Sequence, residues 1–138
     1  LTDAPAGPET VRRTRTARGA PGAAAARGTL EEASMYKVSV MYPNGDGATF
    51  DHAYYRDRHM PMVKEKLGAA LSRYTVDKGI AGGAPGSPPA FVASCSLFVE
   101  SLEAFQAGMA AHGRAIMADV PNYTNVQPQI EITEVVVG

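Results

Sequence analysis

The sequence predicts an α+β domain in which one antiparallel sheet carries two helices on one of its faces. Three observations support this. Period-two alternation rich in Val, Tyr and Phe recurs in four stretches between residues 36 and 137. Two segments with helical spacing lie between them, each opened by a capping residue and followed by Gly. The resulting order is β-α-β-β-α-β, the ferredoxin-like split βαβ arrangement.

The first strand is Tyr36–Tyr42, where Tyr36, Val38, Val40 and Tyr42 alternate with Lys37, Ser39 and Met41. Pro43-Asn44-Gly45-Asp46-Gly47 ends it with turn chemistry. Thr49 or Asp51 can cap a helix that runs to about Leu67, with Gly68 closing it. Leu71–Lys78 is the second strand, and the Gly- and Pro-rich stretch 79–89 is a loop. Phe91–Glu100 is a long third strand. Ser101 caps a second helix that buries Leu102, Phe105 and Met109 and ends at Gly113. A short helical turn over Arg114–Ala118 leads to 119–123, and Gln129–Val137 is the last strand. The sheet face away from the helices is expected to carry Val, Ile, Phe and Thr and to need a cover. The simplest cover is a second copy, a twofold homodimer packed through the sheet face.

With 138 residues, 45% of them hydrophobic and 20% charged, the chain has room for one ordinary globular domain. A formal net charge of −1 offers no bulk attraction to nucleic acid or to an acidic membrane. No apolar run approaches the ~20 residues of a membrane-spanning helix. The single cysteine, Cys95, excludes an intrachain disulfide and a Cys-based zinc cage, and fits a reducing, cytoplasmic compartment. A protein-only three-histidine metal site would need His52, His59 and His112 together, so no metal is expected.

The composition changes near residue 35. Residues 1–34 have no aromatic residue and hold five Arg against four acids, whereas 35–138 hold eight basic against ten acidic groups. A stretch such as Arg18–Arg27 buries too little to offset backbone entropy, so 1–34 is expected to be disordered or a non-native extension. Arg12-Arg13 lacks the apolar run of a twin-arginine signal, and Glu9, Glu31 and Glu32 count against a transit peptide. Met35, followed at once by a strand, reads as the initiation site, which makes 35–138 the domain proper.

On helical spacing, His52, Tyr55, His59 and Met62 share one stripe of the first helix, with Phe50, Tyr54 and Pro61 roughly opposite. Pro61 cannot donate to the carbonyl of Asp57 and disfavours helical dihedrals at Met60, so a kink or restart is expected there. A break beside His59 opens space next to an imidazole of ordinary pKa about 6.5, suited to general acid–base work. The plain alternative is that His59 bonds a freed carbonyl and pins the break. Asp119, before Val120-Pro121, can reach the imidazole and fix its tautomer, or else satisfy loop backbone as an Asx turn. Tyr55, one turn before His59, can donate to a ligand oxygen or simply pack in the core. Tyr42, Tyr74, Met62, Asn122 and Tyr123 are candidates to line the same cavity. His52 and His112 read as a surface and a helix-terminus residue, and Cys95 as buried and inert.

Five runs carry a family resemblance: Met35-Tyr-Lys-Val-Ser-Val-Met-Tyr-Pro43, Phe50-Asp-His-Ala-Tyr-Tyr55, His59-Met-Pro-Met-Val63, Phe98-Val-Glu-Ser101 and Asp119-Val-Pro-Asn-Tyr-Thr124. Together they resemble the ethyl tert-butyl ether degradation (EthD) family over essentially all of 35–138 and none of the preceding segment. The resemblance implies a dimeric α+β barrel and the family's reductase label, but it implies chemistry poorly, because barrels of this kind host many activities.

The chain has no dinucleotide fingerprint, phosphate loop, nucleophile elbow or His-Glu-x-x-His. The residues therefore call for no cofactor, and a haem held in the cavity is the one such group left open. The expected function is an EthD-like small oxidoreductase or related proton-transfer enzyme acting on a small apolar, oxygen-bearing organic molecule. In it His59 is the acid–base, Asp119 its orienting partner and Tyr55 a hydrogen-bond donor. The competing readings are a cofactor-free isomerase or cyclase, and a non-enzymatic ligand-binding or accessory protein of a catabolic system.

Overall fold

The computed structural model describes residues 34–138, so the expectation of a disordered extension over 1–34 lies outside the described residues. Four strands, β1 (Tyr36–Pro43), β2 (Arg73–Lys78), β3 (Phe91–Val99) and β4 (Gln129–Glu134), form one sheet in the order β2-β3-β1-β4. Every pairing is antiparallel. This is the ferredoxin-like α+β arrangement that the element order predicts.

The first helical element has three continuous pieces: α1 (His52–Tyr54), a π-helical turn (Tyr55–His59) and α2 (Met60–Leu67). Asp51 caps it by accepting the Tyr54 N–H at 3.0 Å. Gly68 closes it at φ 57°, ψ −128°, a conformation that disfavours any residue with a Cβ. The second helix, α3 (Leu102–Ala118), is capped by Ser101, whose Oγ accepts the Ala104 N–H at 3.0 Å. Each such cap is worth roughly 1 kcal/mol.

Register places Val38, Val40 and Tyr42 of β1 beside Leu97, Cys95 and Ala93 of β3, on the face under the helices. Val38, Tyr42, Ala93, Cys95 and Leu97 are buried there, together with Tyr55, Met60, Val63 and Leu67 from the first helical element and Phe105 and Ile116 from α3. Burying each large side chain contributes about 1.5–3 kcal/mol. The β2–β3 connection returns tightly: a Cβ on Gly79 would stand 2.0 Å from the Phe91 carbonyl oxygen, so only glycine fits.

Three expectations are corrected. Helix α3 does not end at Gly113 but runs unbroken to Ala118, which makes His112 a mid-helix residue and not a terminal one. Burial of Ile116 in the core outweighs the cost of about 1 kcal/mol for an internal glycine. Met60 does not leave helical space, since its φ −68° and ψ −38° are ordinary α values. The chain absorbs the residue instead in the π turn, where the Met60 N–H donates to the Tyr55 carbonyl five residues back. Finally, the outer sheet face is largely polar. Lys37, Ser39 and Met41 lie there beside Phe98, Ser96 and Ser94 on one side and Thr133, Glu131 and Gln129 on the other. The period-two alternation sends Val38, Val40, Val76, Ile130 and Ile132 to the helix side instead. Exposed apolar side chains appear at the edge strand β4, where Ile130 and Ile132 are 58% and 45% exposed.

Candidate active site

Between the sheet and the helices lies a cavity of about 150 Å³, close to the size that holds a single benzene ring. Its floor includes Val38, Val40, Cys95 and Leu97 from the sheet, and its walls include Met60, Val63, Phe105 and Ile116. Exposed Met117, Ile130 and Ile132 stand at its rim. Its hydrogen-bonding side chains are Tyr42, Tyr55, His59, Cys95 and Tyr123, so the space is apolar with a few polar groups.

The π turn brings His59 to this cavity. Residues five apart come nearly into line across such a turn, and the inserted residue shifts everything after it. Tyr55, His59 and Met60 are consequently all buried, at 2%, 4% and 2% exposure. The rings of Tyr55 and His59 stack at 5.3 Å with 15° between their planes.

The opposite wall comes from the segment after α3. Asp51 N–H donates to the Tyr123 carbonyl at 2.7 Å, and Phe50 forms a β-bridge with Thr124. Thr124 Oγ1 donates to the Thr49 carbonyl at 2.6 Å, and the Asn125 side chain accepts the Thr49 N–H and donates to the Gly47 carbonyl. These bonds staple residues 123–125 to the start of the first helical element and set Asp119 and Tyr123 against His59.

Asp119 Oδ2 lies 2.9 Å from His59 Nδ1. Its other oxygen, Oδ1, accepts from the Tyr54 hydroxyl at 2.7 Å and from Asn122 Nδ2 at 2.9 Å. Burial works to raise the Asp119 carboxyl, but the bonds from Asn122, His59 and Tyr54 outweigh it and hold the group below its usual range. For His59 burial is the larger influence and lowers its pKa, with Asp119 offsetting part of the effect. The pair at neutral pH is thus an ionised carboxylate and a neutral imidazole.

A carboxylate only accepts, so the His59 proton sits on Nδ1 and leaves Nε2 as an acceptor. The Tyr123 hydroxyl is 3.4 Å from Nε2 and 2.7 Å from the Tyr42 hydroxyl. Burial raises the pKa values of Tyr42, Tyr55 and Tyr123, so all three stay protonated. Burial also pushes the Cys95 thiol up to about 11, and its Sγ lies 3.8 Å from Met60 Sδ. A neutral thiol at that depth is a poor nucleophile.

The structure thus brings together His59, Asp119, Tyr55, Tyr42 and Tyr123. Asn122 touches the site through Asp119 and does not line the cavity. Tyr74 and Met62 are not among the lining residues. Tyr74 lies on the sheet's other edge strand, opposite Leu97. The π turn's extra residue gives the cavity positions to Met60 and Val63 in place of Met62. Sequence spacing missed Tyr54, which it placed on the far stripe. The separation of five between Tyr54 and His59 is the signal, legible only with a π turn in mind. Among the described residues no group of three His, Cys, Asp or Glu side chains could hold a metal, and no helix is long and apolar enough to cross a membrane.

Residues 46–127 match the family model described as the EthD domain. The chain is 32% identical over 93 residues to a Rhodococcus erythropolis protein described as an uncharacterized 11.0 kDa protein in the thcB-thcC intergenic region, covering 66% of this chain and 85% of that one. A crystal structure of an EthD-like protein from Ralstonia eutropha JMP134 is 57% identical with a TM-score of 0.74, covering 77% of this chain and 96% of that one. An EthD family protein from Bacillus halodurans C-125 shares the fold at 21% identity and a TM-score of 0.57, over 74% of this chain and 99% of that one.

Proposed function

Since the chain belongs to the EthD family, and since its one cavity-lining imidazole is held by a carboxylate, we propose that it is a small proton-transfer enzyme. Its substrate is an apolar, oxygen-bearing organic molecule of about one ring. The observation that carries this reading is the His59–Asp119 pair, with Nδ1 committed at 2.9 Å and Nε2 left on the cavity side. In this role Nε2 takes a proton from a carbon beside the substrate's oxygen function, Asp119 stabilises the imidazolium that forms, and the Tyr123 hydroxyl donates to the developing oxyanion. Its 3.4 Å contact with Nε2 is long for a hydrogen bond, so a ligand displaces it at little cost. Tyr55 supports the imidazole by stacking. Oxidoreduction, which the family resemblance implies, would start from the same deprotonated substrate and would need a separate two-electron acceptor to take its electrons.

The reading is tested by proton exchange at the α-carbons of cyclohexanone in D₂O, followed by NMR. The wild-type chain accelerates exchange above buffer, and His59→Gln loses about 10²-fold of that or more. A wild type no faster than buffer, while still binding the ketone, would leave a binding protein in place of an enzyme. Two finer points belong to the same proposal. The buried, unpaired Cys95 fits the cytoplasm. A homodimer forms by covering Ile130 and Ile132 at the cavity rim, so Ile132→Lys should shift the mass seen by light scattering from two chains toward one.

A further inference from the structure

We infer that the cavity is built to seat a hydroxyl group carried on a small apolar ring, in preference to an ether or a bare ring. The inference rests on the function proposed above and names its ligand class. Its basis is the direction of each hydrogen bond. Asp119 only accepts, so Nδ1–H points to it and Nε2 is a bare acceptor. The contact between Tyr123 and Nε2 is a hydrogen bond only if the Tyr123 proton points to the imidazole. The Tyr123 oxygen is then the acceptor for Tyr42 at 2.7 Å. The chain therefore runs one way, from Tyr42 through Tyr123 to His59 and on to Asp119.

The weak link is the 3.4 Å step between Tyr123 and Nε2. A ligand oxygen entering there meets a donor on one side and an acceptor on the other. A C–O–H group satisfies both, accepting from Tyr123 and donating to Nε2. An ether oxygen accepts from Tyr123 but leaves Nε2 unpaired at a site where His59 is 4% exposed, and a bare ring satisfies neither. Leaving a buried polar atom unpaired is the expensive outcome. The remaining surface of the cavity, apolar and about 150 Å³, suits one planar ring.

Phenol, anisole and toluene share that ring and differ in the group offered to Tyr123 and Nε2. Titrated into the full chain and followed by amide NMR shifts, phenol binds at least about tenfold more tightly than either of the others. In Tyr123→Phe, phenol and anisole both lose the donor to their oxygen, so each weakens relative to toluene, while phenol keeps its lead over anisole through donation to Nε2; should that variant not fold, the wild-type order of affinities decides alone. Anisole or toluene binding as tightly as phenol overturns the inference and leaves the apolar cavity reading intact. Failure of all three to bind overturns that reading as well.

Discussion

The backbone N–H of Met60 reaches the carbonyl of Tyr55, five residues back, and this one long-range step within a helix positions the site. An uninterrupted α-helix would carry the stripe of Tyr55 and His59 on to Met62. The π turn gives Met60 and Val63 to the interior instead and swings Tyr54 over to Asp119. Pro61, exposed just after the turn, lacks the N–H that an α-helical bond to Asp57 would need.

Packing of Tyr55, His59 and Met60, and not the proline alone, is what holds the turn. Pro61→Ala should therefore lower stability by only about 0.4–1 kcal/mol, through the unfolded chain's added freedom. The His59 ring signals should stay unchanged by NMR. A His59 titration moved up to the ordinary value of about 6.5 would show that the proline holds the turn.

Asp119→Ala strips an acceptor from His59, Tyr54 and Asn122 at once. Denaturant unfolding should show a loss of about 1–3 kcal/mol. Burial, no longer opposed by the carboxylate, should lower the His59 pKa further. An unchanged titration would mean that the pair is not coupled in solution.

Tyr54 and Asn122 share the same carboxylate oxygen, so either alone can fix it. Tyr54→Phe and Asn122→Ala should each reduce proton exchange only a few-fold. The double variant should lose more than the product of the two, with KM little changed. Strictly multiplicative effects would argue against a shared positioning role.

Acid should destabilise the fold in two stages. His59 has its pKa lowered by folding, so below about pH 6.5 the unfolded chain binds its proton first and stability falls. Asp119 is also lowered, so a second loss begins below about pH 3.9. Stability measured across that range should be flat near neutrality for this pair and fall on the acid side. His59→Gln should remove the first stage, and a first stage that persists in it would assign the loss elsewhere.

Much of this was legible because it is local. Asp51, Ser101 and Gly68 act on backbone within a few residues, so their roles follow from type and position. The His59–Asp119 pair was accessible as one of two roles open to a carboxylate at the end of the second helix, the other being an Asx turn, and only the return of 123–125 to the first helical element decides between them. The π turn left no local mark beyond Pro61, so Met62 was expected where Met60 stands, and Tyr54 was set on the wrong side. Gly113 looks like a terminus until the burial of Ile116 is known. Likewise, the polar outer face emerges only when strand register shows which alternate residues lie together.

The proposed chemistry requires a neutral imidazole tethered at Nδ1 and open at Nε2, and the ¹⁵N shifts of His59 report this directly. At pH 7 Nδ1 should carry the proton, Nε2 should show the shift of a bare ring nitrogen, and the titration midpoint should lie below 6.5. A proton found on Nε2, or a midpoint above 6.5, would contradict it.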